Sequence, residues 1–305
     1  MPVPVRLFQA IWLLVFAIDA LASDDVAPVE FSPAKVFGQL PAGWTLGACS
    51  AVAIGPADEV YVFHRGQHPI LCFDSEGKFQ RSFGDDEIHT AHGLRVDADG
   101  ALWATDIGNH RVFKFESAGK LLLTLGTGQP GSGREQFDRP TDVAFGPQGA
   151  IYVADGYGNS RVVQFSPSGA YLREWGRKGK RLGEFNLPHA ALFDPQGRLL
   201  IGDRENNRIQ IFDADGKFQQ AWRGPAPYGL AQDRDGNLFL ADGRANKVLL
   251  LSQDGKVRQS WGGPGTAPGR FSMPHMLALD SEGNLYVAEV NGRRVQKFAR
   301  QPAGR

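Results

Sequence analysis

Short runs of apolar or alternating residues recur along the chain, and each run follows a polar turn. Six of these phrases align, and they read GPADEVYVFH, DADGALWATD, GPQGAIYVAD, DPQGRLLIGD, DRDGNLFLAD and DSEGNLYVAE. A tight turn between two runs of this kind is typical of a β-hairpin. The pattern therefore predicts a chain of hairpins with almost no helix.

The six phrases recur at a regular interval. They end at His64, Asp106, Asp155, Asp203, Asp242 and Glu289, with 42, 49, 48, 39 and 47 residues between successive ends. Repeats of about 40–50 residues that contain several strands are typical of β-propeller blades. A second turn and a further strand, ending in Trp-Gly or Phe-Gly, give four strands in a blade. We therefore predict an all-β fold, a six-bladed β-propeller that spans residues 34–300.

The ends of the propeller are predicted to meet. The last repeat finishes at VQKFARQPAGR and lacks a fourth strand, whereas AKVFG at residues 34–38 has the pattern of the fourth strands LREWG and RQSWG. An unpaired strand edge invites association with other chains. We therefore expect the N-terminal strand to close the ring as the outer strand of the last blade, with residues 301–305 as a short tail.

Five repeats carry an acidic and a basic residue around the loop that follows the second strand. The pairs are Asp106–Arg111, Asp155–Arg161, Asp203–Arg208, Asp242–Lys247 and Glu289–Arg294. A feature that recurs in most blades belongs to the architecture rather than to the chemistry. We predict that these pairs form charge-assisted hydrogen bonds that fix the loop.

The residue that opens each innermost strand varies in an ordered way. In blade order it is Ser50, His92, Thr141, His189, Tyr228 and His275. Because the innermost strands line the central channel, histidines from alternate blades would converge from three sides. Three imidazoles with an open fourth position suit a tetrahedral catalytic zinc ion. We predict such a site, with iron and copper as alternatives.

Further candidate residues lie in the loops on the face of the predicted disc at which the three histidines are expected. They contain Arg65, Tyr157 and Arg204, none of which belongs to the repeated pairs. The third repeat takes six residues rather than five to pass from Asp155 to Arg161, and this extra residue is predicted to push Tyr157 toward the channel. The alternative is that the arginines pair with carboxylates such as Glu205 and that the tyrosine packs.

The N-terminus has the pattern of a secretory signal. Arg6 precedes the apolar run LFQAIWLLVFAI, and ALA at residues 20–22 suits a signal peptidase. About twelve apolar residues are too few to cross a core of about 30 Å. We predict a signal peptide at residues 1–22, a linker at 23–33 and a secreted or periplasmic protein without stable membrane insertion after cleavage. An uncleaved anchor is the alternative.

The amino-acid composition limits which classes of partner are expected for the protein. Lys plus Arg and Asp plus Glu number 33 each, so no overall charge favours nucleic acid. Nucleic acid is therefore not expected as a partner, and the propeller is expected to be a monomer. Cys49 and Cys72 are the two cysteines, and the sequence leaves open whether they form a disulfide.

Three long phrases resemble one enzyme family. FDRPTDVAFGPQGAIYVADGYGNSRVVQFSPSG, FNLPHAALFDPQGRLLIGDRENNRIQIF and FSMPHMLALDSEGNLYVAE are similar to the lyase domain of peptidylglycine α-amidating enzymes. That domain, peptidyl-α-hydroxyglycine α-amidating lyase (peptidylamidoglycolate lyase), is a six-bladed propeller, and the repeats resemble NHL repeats. The resemblance covers nearly all of the chain after the signal.

The resemblance implies a reaction and a role for each candidate residue. The family cleaves the C–N bond of a peptidyl-α-hydroxyglycine to a peptide amide and glyoxylate. Its zinc ligands correspond to His92, His189 and His275, and its catalytic tyrosine corresponds to Tyr157. The active-site arginines correspond to Arg65 and Arg204, which would hold the substrate carboxylate, and a methionine that lines the site corresponds to Met273. A peptide or small molecule with a carboxylate is the implied substrate.

One departure and two alternatives remain open at this point. The family has an acidic calcium ligand directly after the third histidine, but this chain has Met276 there, so calcium is not expected. A non-catalytic exported propeller could instead bind a protein or glycan through its loop face. A lactonase-type hydrolase is a third possibility, although such propellers hold calcium with carboxylates and asparagines.

Overall fold

The computed structural model describes residues 28–302, and almost all of their regular structure is β-strand. Within this range the strands form six four-stranded antiparallel sheets. Two short 3₁₀ turns, Pro147–Gly149 and Arg204–Asn206, are the helical elements of the same residues. The structure confirms the all-β, six-bladed propeller.

Each of the first three blades is a run of four consecutive strands, numbered from the centre outward. Blade one comprises β2 (Ala48–Ile54), β3 (Val60–Arg65), β4 (Ile70–Phe73) and β5 (Phe79–Phe83). Blade two comprises β6 (Ala91–Val96), β7 (Leu102–Asp106), β8 (Arg111–Phe115) and β9 (Leu121–Leu125). Blade three comprises β10 (Asp142–Phe145), β11 (Ile151–Asp155), β12 (Arg161–Phe165) and β13 (Tyr171–Trp175).

The last three blades repeat this order, and the final one borrows a strand. Blade four comprises β14 (Pro188–Phe193), β15 (Leu199–Asp203), β16 (Arg208–Phe212) and β17 (Phe218–Arg223). Blade five comprises β18 (Gly229–Gln232), β19 (Leu238–Asp242), β20 (Lys247–Leu251) and β21 (Val257–Gly262). Blade six comprises β22 (Pro274–Leu279), β23 (Leu285–Glu289), β24 (Arg294–Phe298) and β1 (Lys35–Phe37).

The ring closes as the sequence predicted. β1 pairs antiparallel with β24, with Lys35 opposite Lys297 and Phe37 opposite Val295. The chain just before β1 also packs on the propeller, because Val29 is buried and its amide donates to Gln259 Oε1 at 2.8 Å. The last part of the predicted linker therefore contacts blade five.

The hydrophobic core lies between neighbouring blades rather than at the centre. Second strands such as β7 and β11 are buried at every position, whereas outer strands such as β9 are largely exposed. One core cluster joins Trp103 of blade two to Val153 of blade three, with Phe137 between the two sheets. Because each blade is covered on both faces, its inner strands are continuously apolar.

The repeated acidic residues anchor loops, but only three of the five predicted ion pairs form. Asp155–Arg161, Asp203–Arg208 and Glu289–Arg294 are joined at 3.0, 2.7 and 2.5 Å. Asp106 instead accepts the amides of His89, Thr90, Gly108 and Asn109, and Asp242 accepts those of Ala226, Arg244 and Ala245.

The prediction was therefore wrong for Asp106–Arg111 and Asp242–Lys247. The physical reason is that backbone N–H groups already satisfy these two carboxylates. Accepting amides from the segment before the innermost strand is the feature common to all five acidic residues, since Asp155, Asp203 and Glu289 each accept one.

The two cysteines are free and buried. Cys49 lies on β2 opposite His64, and Cys72 lies on β4 opposite Tyr61, so β3 separates them. Two strand spacings amount to about 9–10 Å, which exceeds the Cα separation of about 7 Å that a disulfide can bridge. The disulfide that the sequence left open therefore does not form.

The predicted signal peptide at residues 1–22 lies outside the described residues. Within residues 28–302, no helix has the length and apolar character needed to cross a membrane.

Candidate metal centre and active site

Three histidines open the innermost strands of alternate blades, and each of them lies at a β-bulge. His92, His189 and His275 fall at breaks in the register of β6–β7, β14–β15 and β22–β23. A bulge adds a residue to one strand and turns its side chain away from the regular pleat. The bulges in these three blades thus direct the imidazoles into the central channel.

The six equivalent positions divide into two alternating roles. In the even blades the side chain is an imidazole, and its Nδ1 contacts the backbone carbonyl at the equivalent position of the next blade. His92 Nδ1 lies 2.6 Å from the Thr141 oxygen. His189 Nδ1 lies 2.7 Å from that of Tyr228, and His275 Nδ1 lies 2.6 Å from that of Ser50.

These contacts fix the tautomer of all three rings. A carbonyl oxygen can only accept a hydrogen bond, so each Nδ1 carries the proton and each Nε2 presents a lone pair. An imidazole that donates from one nitrogen to a carbonyl while the other stays free is the usual arrangement of a metal-ligating histidine.

Burial keeps the imidazoles neutral. The three side chains are almost fully buried, at 0, 0 and 2% exposure for His92, His189 and His275. Burial, to which the neighbouring charges of Arg65 and Arg204 add, lowers the pKa of His275 to about 3. Burial and nearby imidazoles also hold the pKa of His189 well below its usual range. The ligand nitrogens are therefore unprotonated at neutral pH.

The geometry of the three histidines fits a single metal ion. Each pair of ring centroids is 4.8 Å apart, and the ligand nitrogens lie within 4.8 Å of one another. Three neutral imidazoles with one open direction match the donor set of catalytic zinc sites. Within residues 28–302, this trio is the one group of three or more histidine, cysteine or acidic side chains found close enough to hold an ion.

The extra residue of the third repeat is Gly156. A Cβ atom at this position would lie 2.0 Å from the Pro188 carbonyl oxygen, so the backbone passes where only glycine fits. With Gly156 inserted, the amide of Tyr157 lies 3.4 Å from the Arg139 carbonyl, as the amide of Arg204 lies 3.1 Å from the Leu187 carbonyl in the next blade. Tyr157 and Arg204 thus occupy equivalent backbone positions in neighbouring blades.

The phenol of Tyr157 reaches the three-histidine centre. Its Oη lies 3.2 Å from His92 Nε2 and 3.3 Å from His189 Nε2. Since both nitrogens carry lone pairs, the hydroxyl can donate its single hydrogen to either of them. The residue is half-buried.

Arg204 contacts both tyrosines of the site. Its Nη1 donates to Tyr157 Oη at 3.3 Å, and its guanidinium carbon lies 5.5 Å from the centre of that ring and 4.7 Å from the ring of Tyr228. Its Nε donates to Glu205 Oε1 at 2.9 Å. Arg204 therefore pairs with the carboxylate that the sequence offered as its alternative partner, and it also contacts Tyr157.

Sequence reasoning did not assign two residues that support Arg204. They are Arg244, which donates to the second oxygen of Glu205, and Tyr228. Tyr228 had a signal, since it stands at the histidine-equivalent position of blade five. Arg244 had none, because its contact with Glu205 depends on how blades four and five pack.

Arg65 and Met273 lie on the same face. Arg65 is exposed at the end of β3, and its Nε donates to the Ala91 carbonyl at 3.0 Å, beside His92. Met273 precedes the strand of His275 and adopts a left-handed backbone with φ of 58°, an uncommon conformation for a residue with a side chain. Met276, by contrast, is buried in the apolar core.

A charged plug closes the channel beyond the histidines. Arg95 joins Asp142 through two contacts of 2.6 and 3.0 Å and also donates to the Leu230 and Ala191 carbonyls. One guanidinium from blade two thus binds blades three, four and five. A cavity of about 330 Å³ opens at the opposite mouth, so the plug separates it from the three histidines.

Comparisons with known proteins agree with this description. The NHL repeat family matches residues 89–115, 137–165 and 185–212. The peptidyl-glycine alpha-amidating monooxygenase A of Xenopus laevis is 40% identical over 204 residues, which are 56% of this chain and 22% of that protein. The peptidyl-alpha-hydroxyglycine alpha-amidating lyase 1 of Drosophila melanogaster is 35% identical over 216 residues, 58% of this chain and 40% of that protein.

A solved structure supports the fold independently. The structure of a streptogramin B lyase superposes with a TM-score of 0.67 at 16% identity and covers 89% of this chain and 98% of that one. The match with the two sequence relatives spans less than half the length of either. The chain thus contains NHL repeats within a six-bladed propeller, and over somewhat more than half of its length it is similar to peptidyl-α-hydroxyglycine α-amidating lyases.

Proposed function

We propose that the protein is a zinc-dependent lyase that cleaves the C–N bond of a peptidyl-α-hydroxyglycine or a related amidoglycolate. The products are an amide and glyoxylate. The observation that carries this proposal is the contact of Tyr157 Oη with two neutral imidazoles whose free nitrogens face one point. A proton acceptor beside a metal centre is what removal of a hydroxyl proton requires.

The chemistry balances without an oxidant or water. The α-hydroxyl loses its proton, the C–O bond becomes the carbonyl of glyoxylate, and the electron pair of the C–N bond leaves with the amide nitrogen. That nitrogen then takes up the proton. Zinc held by His92, His189 and His275 would supply a Lewis acid for the hydroxyl oxygen.

The protein's own residues move the proton and place the substrate. Tyr157 Oη takes the hydroxyl proton, which requires an ionised phenol, and then returns it to the leaving nitrogen. Arg204 donates a hydrogen bond to the same oxygen and so helps to hold it beside the histidines. Arg65 and Arg204 bring positive charge to the face on which a substrate carboxylate would lie.

The proposal is tested by measuring glyoxylate release from an N-acyl-α-hydroxyglycine. The zinc-loaded parent should release glyoxylate and the matching amide in equal amounts. Tyr157→Phe removes one oxygen atom and should reduce kcat by about 10²-fold or more. The same variant should still bind one zinc per chain, because the tyrosine is not among the proposed ligands.

Metal content separates this proposal from a non-catalytic binding propeller. His189→Ala should lose zinc while keeping the fold, and His64→Gln, which changes a histidine outside the trio, should keep both. A purified parent that holds no zinc and releases no glyoxylate would favour the binding module.

A further inference from the structure

One loop on the face of the three histidines carries a concentration of positive charge. This basic loop, residues 176–187, joins β13 of blade three to β14, the strand of His189. Four of its cationic side chains are exposed, and they are Arg177, Lys178, Lys180 and Arg181. Arg177 pairs with Glu184 at 2.9 Å. Among residues 28–302, the other three side chains form no hydrogen bond or ion pair.

A buried arginine holds the backbone of the basic loop. Arg208 is 1% exposed and pairs with Asp203 at 2.7 Å. Its terminal nitrogens donate, at 2.9, 2.8 and 2.7 Å, to the carbonyls of Lys180, Arg181 and Glu184. The cationic side chains therefore project from a fixed backbone, and ordering them on a partner costs less than ordering a mobile loop.

Two other blades hold an equivalent loop in the same way but place no cation at these positions. Arg161 binds the carbonyls of Ser132, Gly133 and Gln136, and Arg294 binds those of Thr266, Ala267 and Arg270. The equivalents of Lys178, Lys180 and Arg181 are thus Pro130, Ser132 and Gly133 before blade three and Pro264, Thr266 and Ala267 before blade six. The positive charge is therefore a departure from the repeat and is not needed for the fold.

The basic loop borders the candidate active site. Asn206 lies in the same 3₁₀ turn as Arg204, and its Nδ2 donates to the Gly179 carbonyl at 2.9 Å. At the other end of the loop, the Arg204 amide lies 3.1 Å from the Leu187 carbonyl. The turn that carries Arg204 is therefore in contact with the loop at both ends.

A peptide with its C-terminal residue at the histidines has one way out. The plug of Arg95 and Asp142 closes the channel beyond the histidines, so the rest of the peptide leaves at the mouth that the basic loop borders. An extended chain advances about 3.3 Å per residue. Residues a few positions before the C-terminus therefore pass over this face of the propeller.

We propose that the basic loop binds acidic side chains of the substrate peptide that precede the α-hydroxyglycine. Lys178, Lys180 and Arg181 supply the charge, and the preferred substrates are peptides with Asp or Glu a few residues before the C-terminus. This inference rests on the proposed function and deepens it, because it names a substrate class for the same site.

A peptide fits this face better than an anionic membrane does. The loop before β6, on the same face, carries Asp85, Asp86 and Glu87. A flat anionic bilayer laid on the face would meet these carboxylates and be repelled by them. An extended peptide can contact the basic loop alone.

A binding experiment tests the basic loop without turnover. N-acetylated Glu-Glu-Ala-Phe-Gly and Gln-Gln-Ala-Phe-Gly share a length and a C-terminal glycine, differ in two charges and lack the α-hydroxyl. By calorimetry at low ionic strength, the zinc-loaded parent should bind the acidic peptide at least about fivefold more tightly. This preference should shrink in about 0.5 M salt, because exposed charges are screened.

Two double variants locate the effect. Lys180→Thr/Arg181→Ala introduces the residue types that the loop before blade six has at these positions, so the contacts of Arg208 remain and the preference should fall below about twofold. Lys120→Gln/Lys217→Gln removes two exposed cations from turns on the opposite face and should keep the preference. Glyoxylate release from N-acetyl-α-hydroxyglycine, which is too short to reach the loop, should be unchanged in both variants.

The outcomes separate this inference from the function on which it rests. Equal binding of the two peptides by the parent, or a preference that survives in Lys180→Thr/Arg181→Ala, would overturn it. A parent without the preference that sediments with phosphatidylglycerol vesicles would also overturn it, since the loop would then serve a lipid surface. A parent that shows the expected preference but releases no glyoxylate would contradict the lyase proposal and leave the peptide-binding surface standing.

Discussion

Gly156 passes so close to Pro188 that a Cβ atom on the glycine would lie 2.0 Å from the proline's carbonyl oxygen. The contact joins the loop between β11 and β12 of blade three to the start of β14, the strand of blade four that carries His189. It explains how a repeat with one extra residue can still present Tyr157 at a position equivalent to that of Arg204. The loop has one more residue, but the glycine fits this residue into the space beside Pro188.

Gly156→Ala should therefore displace the tyrosine loop. We expect the free energy of unfolding to fall by about 1–3 kcal/mol, because the new methyl group meets backbone that cannot turn aside. Activity should fall at least tenfold, as a shift of about 1 Å in a catalytic group is costly. Urea unfolding and glyoxylate release measure the two effects.

Gly133→Ala, in the segment between β9 and β10, is the matched control. Its added Cβ would meet only the end of the flexible Gln136 side chain, so both quantities should stay near those of the parent. Equal effects of the two substitutions would contradict the close-approach argument.

The Arg95–Asp142 plug predicts a large loss of stability when it is broken. Arg95→Met leaves the fully buried Asp142 carboxylate without its cation, and the expected cost is about 3–5 kcal/mol in the free energy of unfolding. Arg173→Met removes a guanidinium from the exposed pair with Asp215 and should cost less than about 1 kcal/mol. Chemical denaturation compares them, and similar losses would show that the plug is not a buried ion pair.

His64 predicts a pH dependence of stability. Its Nδ1 accepts the Gly47 amide and its Nε2 faces the His68 carbonyl, so both nitrogens are satisfied only in the neutral ring. Burial lowers its pKa to about 4, against about 6.5 in the unfolded chain.

The unfolded state then binds one more proton than the folded state between about pH 6.5 and pH 4. Stability is unaffected above this range and falls as the pH drops through it, by about 3 kcal/mol in total from this group. In His64→Gln this contribution should vanish, so the free energy of unfolding should depend less on pH by about one proton. Parallel curves for parent and variant between pH 7 and pH 4.5 would refute the assignment.

The cysteines should be inert in the folded protein. Burial, with a smaller effect of Glu289, raises the pKa of Cys49 to about 12, and burial also raises the pKa of Cys72. Because the thiolate is the reactive form, neither should react with a maleimide at pH 8 until the protein unfolds. Fast labelling of the native protein would show that the blades open locally.

Much of the architecture could be predicted because it depends on sequence patterns within each repeat. Turn residues and apolar runs recur with the blade period, and the six positions from Ser50 to His275 could be aligned before any contact was known. The ion pairs were predicted less well. Asp106 and Asp242 share the sequence pattern of Asp203, but each of them also accepts amides from the loop that directly follows it.

The sequence alone determined the number of blades, the closing strand and the placement of histidines in alternate repeats, since all three follow from periodicity. Only the tertiary structure decided which nitrogen of each imidazole is free, because the carbonyl that orients His275 belongs to Ser50, 225 residues away. It also decided that two nitrogens of Arg204 donate to Glu205 and Tyr157, whereas Arg65 Nε donates to the Ala91 carbonyl. Such contacts form only when the ring closes and neighbouring blades pack, so no local pattern records them.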